Sequence, residues 1–161
     1  MPKILIIYFS KTGNTKSMAE KVMQGVQRIG GEVKIVDVEN VILADLKEAD
    51  GIIVGSPTYY GSMATPVKKL FDESVAIHGQ LAGKVGAAFT SSGFVGGGNE
   101  LAIMDILQAM LVHGMVIQGD HKGDHFGPVC IKKVDERGEK LCLRLGERVV
   151  TLVKRLTSSQ R

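Results

Sequence analysis

Three short runs of hydroxyl, amide and glycine residues hold the side chains best suited to chemistry in this 161-residue chain. The first, Ser10-Lys11-Thr12-Gly13-Asn14-Thr15, separates the apolar run Ile4-Leu5-Ile6-Ile7-Tyr8-Phe9 from Met18, Val22 and Val26 at helical spacing. Such a strand-to-helix turn sets backbone N–H groups and small hydroxyls at the positive end of a helix. A phosphate is stabilised there without Arg or Lys. A helix cap needs only one Ser, Thr, Asp or Asn, so a run of them points to a ligand. The second run, Pro57-Thr58-Tyr59-Tyr60-Gly61, holds two adjacent tyrosines that can flank a planar ring. The third, Ser91-Ser92-Gly93-Phe94-Val95-Gly96-Gly97, lets backbone approach a flat ligand and donate N–H groups to its polar edge.

Rival chemistries fit less well. Lys16 and Ser17 lack the preceding glycine that a P-loop requires, and the first turn has no Gly-x-Gly-x-x-Gly dinucleotide fingerprint. His121, Asp124 and His125 could be grouped as metal ligands, but in a polar loop they read as solvent-facing, and no metal is expected. Cys130 and Cys142 form no Cys-x-x-Cys pattern and read as reduced, partly buried thiols. No nucleophile or acid–base dyad is evident, so no catalytic residue is assigned.

Composition narrows the class further. Hydrophobic content of 44% with 23% charged residues is that of a globular protein, and the length suits a single domain over 1–161. Net charge of +3, with scattered basic residues, gives no argument for nucleic acid. No apolar stretch reaches membrane-span length and the chain opens directly into a strand, so a cytoplasmic location away from membranes is expected.

The elements that must position these runs alternate between strand and helix. The pattern predicts a helix from Gly13 to Ile29 stopped by Gly30-Gly31, a strand over Glu32–Val38, a short link over Leu43–Asp50 and a buried strand over Gly51–Gly55. Next come a turn fixed by Pro57, a helix over Thr65–Asp72, a strand over Lys84–Thr90 and a helix over Asn99–His113 with Leu101, Met104, Leu107, Met110 and Leu111 as its apolar face. A fifth strand begins at Met115 and resumes at Val129-Cys130-Ile131. A final helix runs to Leu156, and Ser158-Ser159-Gln160-Arg161 should fray. This order implies an α/β fold: a parallel sheet wound by right-handed crossovers, covered by helices on both faces. Ligands of such sheets lie outside the carboxyl ends of the strands, where the three runs must emerge.

The residues also carry a resemblance. Ser10, Thr12, Gly13, Asn14 and Thr15 resemble the FMN phosphate loop of the flavodoxin family. Ser56–Met63, Phe89–Gly93, Gly96–Glu100 and His113–Ile117 resemble segments of the flavodoxin-like NAD(P)H:quinone oxidoreductases, the Trp-repressor-binding-protein family. The resemblance implies a doubly wound five-stranded parallel sheet of order 2-1-3-4-5 and FMN as cofactor. It gives Thr58, Tyr59, Tyr60 and Gly61 to the ring face, Ser92 to Gly97 to the ring edge, and His113 to a place near the flavin.

Two functions follow from the resemblance. One is an electron carrier serving a redox partner protein; the other is an NAD(P)H dehydrogenase (quinone) that reduces quinones by two-electron hydride transfer. The chain lacks tryptophan and most of the extra length of those quinone reductases, which supports their tetramer, and in size it is closer to a short-chain flavodoxin. A homodimer or homotetramer is left open. It also lacks the strongly acidic balance usual in flavodoxins. A response-regulator receiver is rejected, because Ser10 and Ser56 stand where its acidic residues are needed.

Overall fold

A computed structural model describes residues 1–158. Strands β1 (Lys3–Tyr8), β2 (Glu32–Asp37), β3 (Gly51–Tyr59), β4 (Ser62–Met63), β5 (Val85–Ser92), β6 (Val116–Ile117) and β7 (Val129–Ile131) alternate with helices α1 (Asn14–Arg28), α2 (Leu43–Glu48), α3 (Thr65–Glu73), α4 (Asn99–Val112) and α5 (Glu136–Ser158). The parallel sheet has the order β2-β1-β3-β5-β6, with β4 folded back on β3 and β7 pairing the far end of β5. With the hairpin strand β4 set aside, this is the expected order 2-1-3-4-5.

Residue alternation explains why both faces are covered. Ile4, Ile6, Ile53, Val85 and Phe89 pack with Met18, Val22 and Val26 of α1 and with Leu145, Val149 and Val153 of α5. Leu5, Ile7, Ile52, Val54 and Ala88 pack with Leu46, Val67, Leu70, Ile103, Ile106 and Met110 on the other side. Each Val, Leu, Ile, Met or Phe side chain among these contributes about 1.5–3 kcal/mol by its burial. Helices α1 and α5 cross so closely that a Cβ on Gly25 would collide with the Leu143 carbonyl, and one on Gly146 with the Val22 carbonyl.

Several elements differ from expectation. The third strand continues through Ser56, Pro57 and Thr58, so Pro57 does not fix a turn: it lies in β3 opposite Ser91, beyond the point where β1 ends against Gly55. Having no N–H to donate, it is tolerated where one neighbouring strand has already left. The turn comes later, at Tyr60 and Gly61, both with positive φ (48° and 75°). This is the geometry of a two-residue hairpin, and β4 pairs back through Tyr59–Ser62 and Thr58–Met63. On α4 the buried residues are Ala102, Ile103, Ile106, Leu107 and Met110, while Leu101 and Leu111 are exposed. This helix is apolar nearly all round, so spacing alone did not choose its face. The fifth position of the sheet is shared: β6 pairs Val85 and Gly86, and β7 pairs Thr90 to Ser92. Of the tail expected to fray, Ser158 ends α5 and 159–161 lie outside the described residues.

The loop between β6 and β7 is held by a buried carboxylate. Arg144 of α5 donates from Nε and Nη2 to Asp120 at 2.6 and 2.9 Å, and Lys122 N–H donates to it at 2.9 Å. The Arg144 hydrogen bond holds the Asp120 carboxyl well below the usual carboxylate range. Arg148 Nη2 donates to the Gln118 and Gly119 carbonyls, each at 2.7 Å. These bonds fix the chain that leads into β7, at the same end of the sheet as the three runs.

Candidate functional site

The first turn leaves the carboxyl end of β1, where Phe9 N–H donates to the Gly55 carbonyl at 3.1 Å. Gly13, in the left-handed region at φ 97°, is the residue before α1; no side chain caps the helix and no acidic residue stands in its first turn. The first N–H groups of a helix have no partner within it, so they face outward. Ser10 Oγ accepts from Gly13 N–H at 3.1 Å, which curls the turn, and nothing stands within 4 Å of where a Gly13 Cβ would lie. Lys11, Thr12 and Gly13 are exposed, with Ser10 and Asn14 half-buried. Thr15 is buried and its Oγ1 lies 2.7 Å from Ser91 Oγ. Its hydroxyl therefore ties the first turn to the end of β5.

The second and third runs are tied in the same way. Thr90 Oγ1 donates to the Ser56 carbonyl at 2.7 Å, which uses its one proton, so Thr58 is the donor across the 2.8 Å Thr58–Thr90 contact. Ser56 Oγ donates to the Pro57 carbonyl and accepts from Ala64 N–H, both at 2.8 Å, closing the base of the hairpin. Past the end of β5 the chain folds around one carbonyl: Ser92 Oγ donates to Phe94 O at 2.9 Å and Gly97 N–H at 3.4 Å. A Cβ on Gly98 would strike Gly61 Cα, so the hairpin tip and the glycine loop touch backbone to backbone. Tyr59, Tyr60, Phe94 and Val95 are exposed around this rim, and the backbone at Gly61, Gly93 and Gly96 faces open space.

The structure thus brings together Ser10 to Thr15, Pro57 to Gly61 and Ser91 to Gly97 at the carboxyl ends of β1, β3 and β5. It does not bring His113. That residue follows α4, roughly 21 Å along the helix axis from the glycine loop at 1.5 Å per residue. It is buried, with Nε2 2.7 Å from Ser74 Oγ and its ring 5.9 Å from that of His78. Among the described residues its Nδ1 has no hydrogen-bond partner. Burial, and secondarily the charge of His78, lowers its pKa below the ordinary 6.5. His113 is a packing residue at the closed end of the fold.

The polar loop serves itself. His125 Nδ1 lies 2.7 Å from the Asp120 carbonyl, while Asp124 accepts from Val129 N–H at 2.8 Å and pairs with Arg137. Among the described residues no group of three His, Cys, Asp or Glu side chains could hold a metal. Cys130 and Cys142 are free and buried. Sequence reasoning named Ser56 and Thr90 only within family-like segments, with no role of their own, and missed Asp105, whose bond to Ser62 is taken up below. Their bonding partners include residues far along the chain, which no local pattern announces.

Comparison with known proteins agrees with this geometry. A family model for the flavodoxin domain matches residues 5–97. The chain is 40% identical over 162 aligned residues to a flavodoxin of Aquifex aeolicus, covering 95% of this chain and 88% of that one. It is 35% identical over 141 residues to an NAD(P)H dehydrogenase (quinone) of Gluconacetobacter diazotrophicus, covering 74% of this chain and 71% of that protein. Among solved structures, a flavodoxin from the domain Archaea superposes with a TM-score of 0.81 at 34% identity, over 94% of this chain and 99% of that chain. Among the described residues, no helix is long and apolar enough to cross a membrane.

Proposed function

The chain belongs to the flavodoxin family of electron-transfer proteins, and from that premise we propose that the three joined turns hold FMN and that the protein carries electrons between redox partners. When bound, FMN supplies the chemistry, accepting electrons from one partner and giving them to another. The protein binds and orients. The uncapped N–H groups opening α1, with the hydroxyls of Ser10 and Thr12 and the amide of Asn14, hold the phosphate. The absence of an acidic side chain from the first turn of α1 suits a dianion there. Tyr59, Tyr60 and the Gly61 backbone would take the ring face. The backbone of Ser92 to Gly97 would serve the ring edge.

One observation carries this reading. The three turns are bolted together by Thr15–Ser91, Thr58–Thr90 and the Gly61–Gly98 contact, while their outward faces stay open. A fold that needed these turns only as connectors gains nothing from leaving glycine backbone exposed at φ values that favour glycine. The buried free thiols also suit a reducing compartment, in keeping with a cytoplasmic carrier.

Incubation with FMN followed by desalting should leave yellow protein that can be reduced and reoxidised. Colourless protein contradicts the reading. The alternative, quinone reduction with NAD(P)H, rests on the relatives that match three quarters of this chain. Steady-state NAD(P)H oxidation with benzoquinone separates the two, since a carrier alone gives almost no turnover.

A further inference from the structure

The hairpin tip that bears Tyr60 and Gly61 is braced from outside the sheet by a single carboxylate. Ser62, which closes the tip opposite Tyr59, donates from Oγ to Asp105 Oδ2 at 2.5 Å. Asp105 lies in the second turn of α4, on the helix whose start at Gly98 already touches Gly61. The bond therefore sets the angle of the whole hairpin against α4. It spans 43 residues of sequence and is partly buried.

This bond places the carboxylate beside two lysines that are paired elsewhere. Ser62, Asp105, Lys68 and Lys69 line one groove of about 480 Å³. Both lysines are engaged along their own helix: Lys68 pairs with Asp72 at 2.6 Å and Lys69 with Glu73 at 3.7 Å. Among the described residues Asp105 has no ion pair, and its hydroxyl partner carries no charge. A half-buried negative charge at the root of the ring-face turn interacts more strongly with its surroundings than one in open water.

We propose that Asp105 is a positioning residue for electron transfer. Through Ser62 it fixes the hairpin that faces the flavin ring, and its charge disfavours the added electrons and so lowers the reduction potential. This rests on the FMN reading above. The two roles separate by substitution, because Asn keeps an acceptor for the Ser62 hydroxyl but removes the charge, whereas Ala removes both.

Potentiometric titration of FMN-loaded wild type, Asp105→Asn, Asp105→Ala and Ser62→Ala is the test, with amide hydrogen exchange on the same proteins free of FMN. Asp105→Asn should raise the midpoint potential while leaving exchange at Ser62 and Met63 as in wild type. Ser62→Ala should leave the potential unraised and speed exchange there by roughly fivefold, the value of one lost hydrogen bond. Asp105→Ala should do both, and Ser62→Thr, which keeps the hydroxyl, should restore slow exchange. An unchanged potential in Asp105→Asn overturns the electrostatic role, and unchanged exchange in both Ala variants overturns the positioning role. Should wild type bind no FMN, the flavin reading fails separately, and exchange in the apo-protein still decides whether Asp105 braces the hairpin.

Discussion

Gly25 and Gly146 sit where α1 and α5 cross, and a Cβ on either would strike a backbone carbonyl of the facing helix; Gly61, Gly93 and Gly96, at the carboxyl rim of the sheet, have nothing within 4 Å of where a Cβ would stand. The same residue type is used for opposite ends. In the body, missing side chains let elements approach one another. At the rim, they leave backbone exposed and space unfilled. The hydroxyls divide likewise: Thr15, Ser91, Thr58 and Thr90 pair with one another beneath the rim, while Thr12 stays exposed upon it. Tied together below and open above, the rim differs in this from an ordinary set of loops.

The contrast can be broken by substitution. Gly25→Ala should cost about 3 kcal/mol, since overpacking against backbone cannot be relieved by a rotamer change. Urea denaturation should show the lower midpoint, and the folded fraction should still bind FMN with unaltered affinity. Gly93→Ala should do the reverse. Its neighbourhood is open and its φ is not in the left-handed region, so stability should stay within roughly 0.5 kcal/mol of wild type. FMN affinity should nevertheless fall by roughly tenfold, about 1.4 kcal/mol, because the methyl enters ligand space. Equal stability losses in the two variants would erase the distinction between body and rim.

A smaller effect sharpens the comparison at the closed end. Burial holds the folded pKa of His113 below its ordinary 6.5, so the unfolded chain binds the proton more readily. The stability this residue contributes is complete above pH 6.5 and is lost as pH falls from there through the folded value. Thermal unfolding between pH 7.5 and pH 5 should therefore show a decline that His113→Gln reduces. An unchanged slope in that variant would mean that other groups dominate.

Much of this was legible in the sequence. The alternating elements and the meeting of three loops at one rim follow from apolar periodicity and from glycine and hydroxyl placement, while the sheet order came with the family resemblance. What was hidden depends on tertiary neighbours. The hairpin at Tyr60-Gly61 lacks the Asn-Gly or Asp-Gly pair that announces such a turn, and it puts a fully exposed tyrosine at positive φ, where sequence alone leads one to expect Gly, Asn or Asp. Helix α4 has apolar residues on two faces, and only packing against β5 shows that Ile103 and Ile106, not Leu101 and Leu111, go inward. His113 precedes a strand, as expected, but strand starts lie at the opposite end of the sheet from the site. Asp105 carries no local mark at all, because its meaning lies in Ser62, far away in the chain.

The central claim is that these turns form one ligand site from which the His113 end is excluded, and mapping of amide chemical shifts during an FMN titration tests it most directly. The account predicts saturable one-to-one changes at residues 10–16, 58–62 and 92–98 together, with Ser74, His78 and His113 unmoved. Shifts centred on His113, or a turn among the three that does not respond, would contradict it.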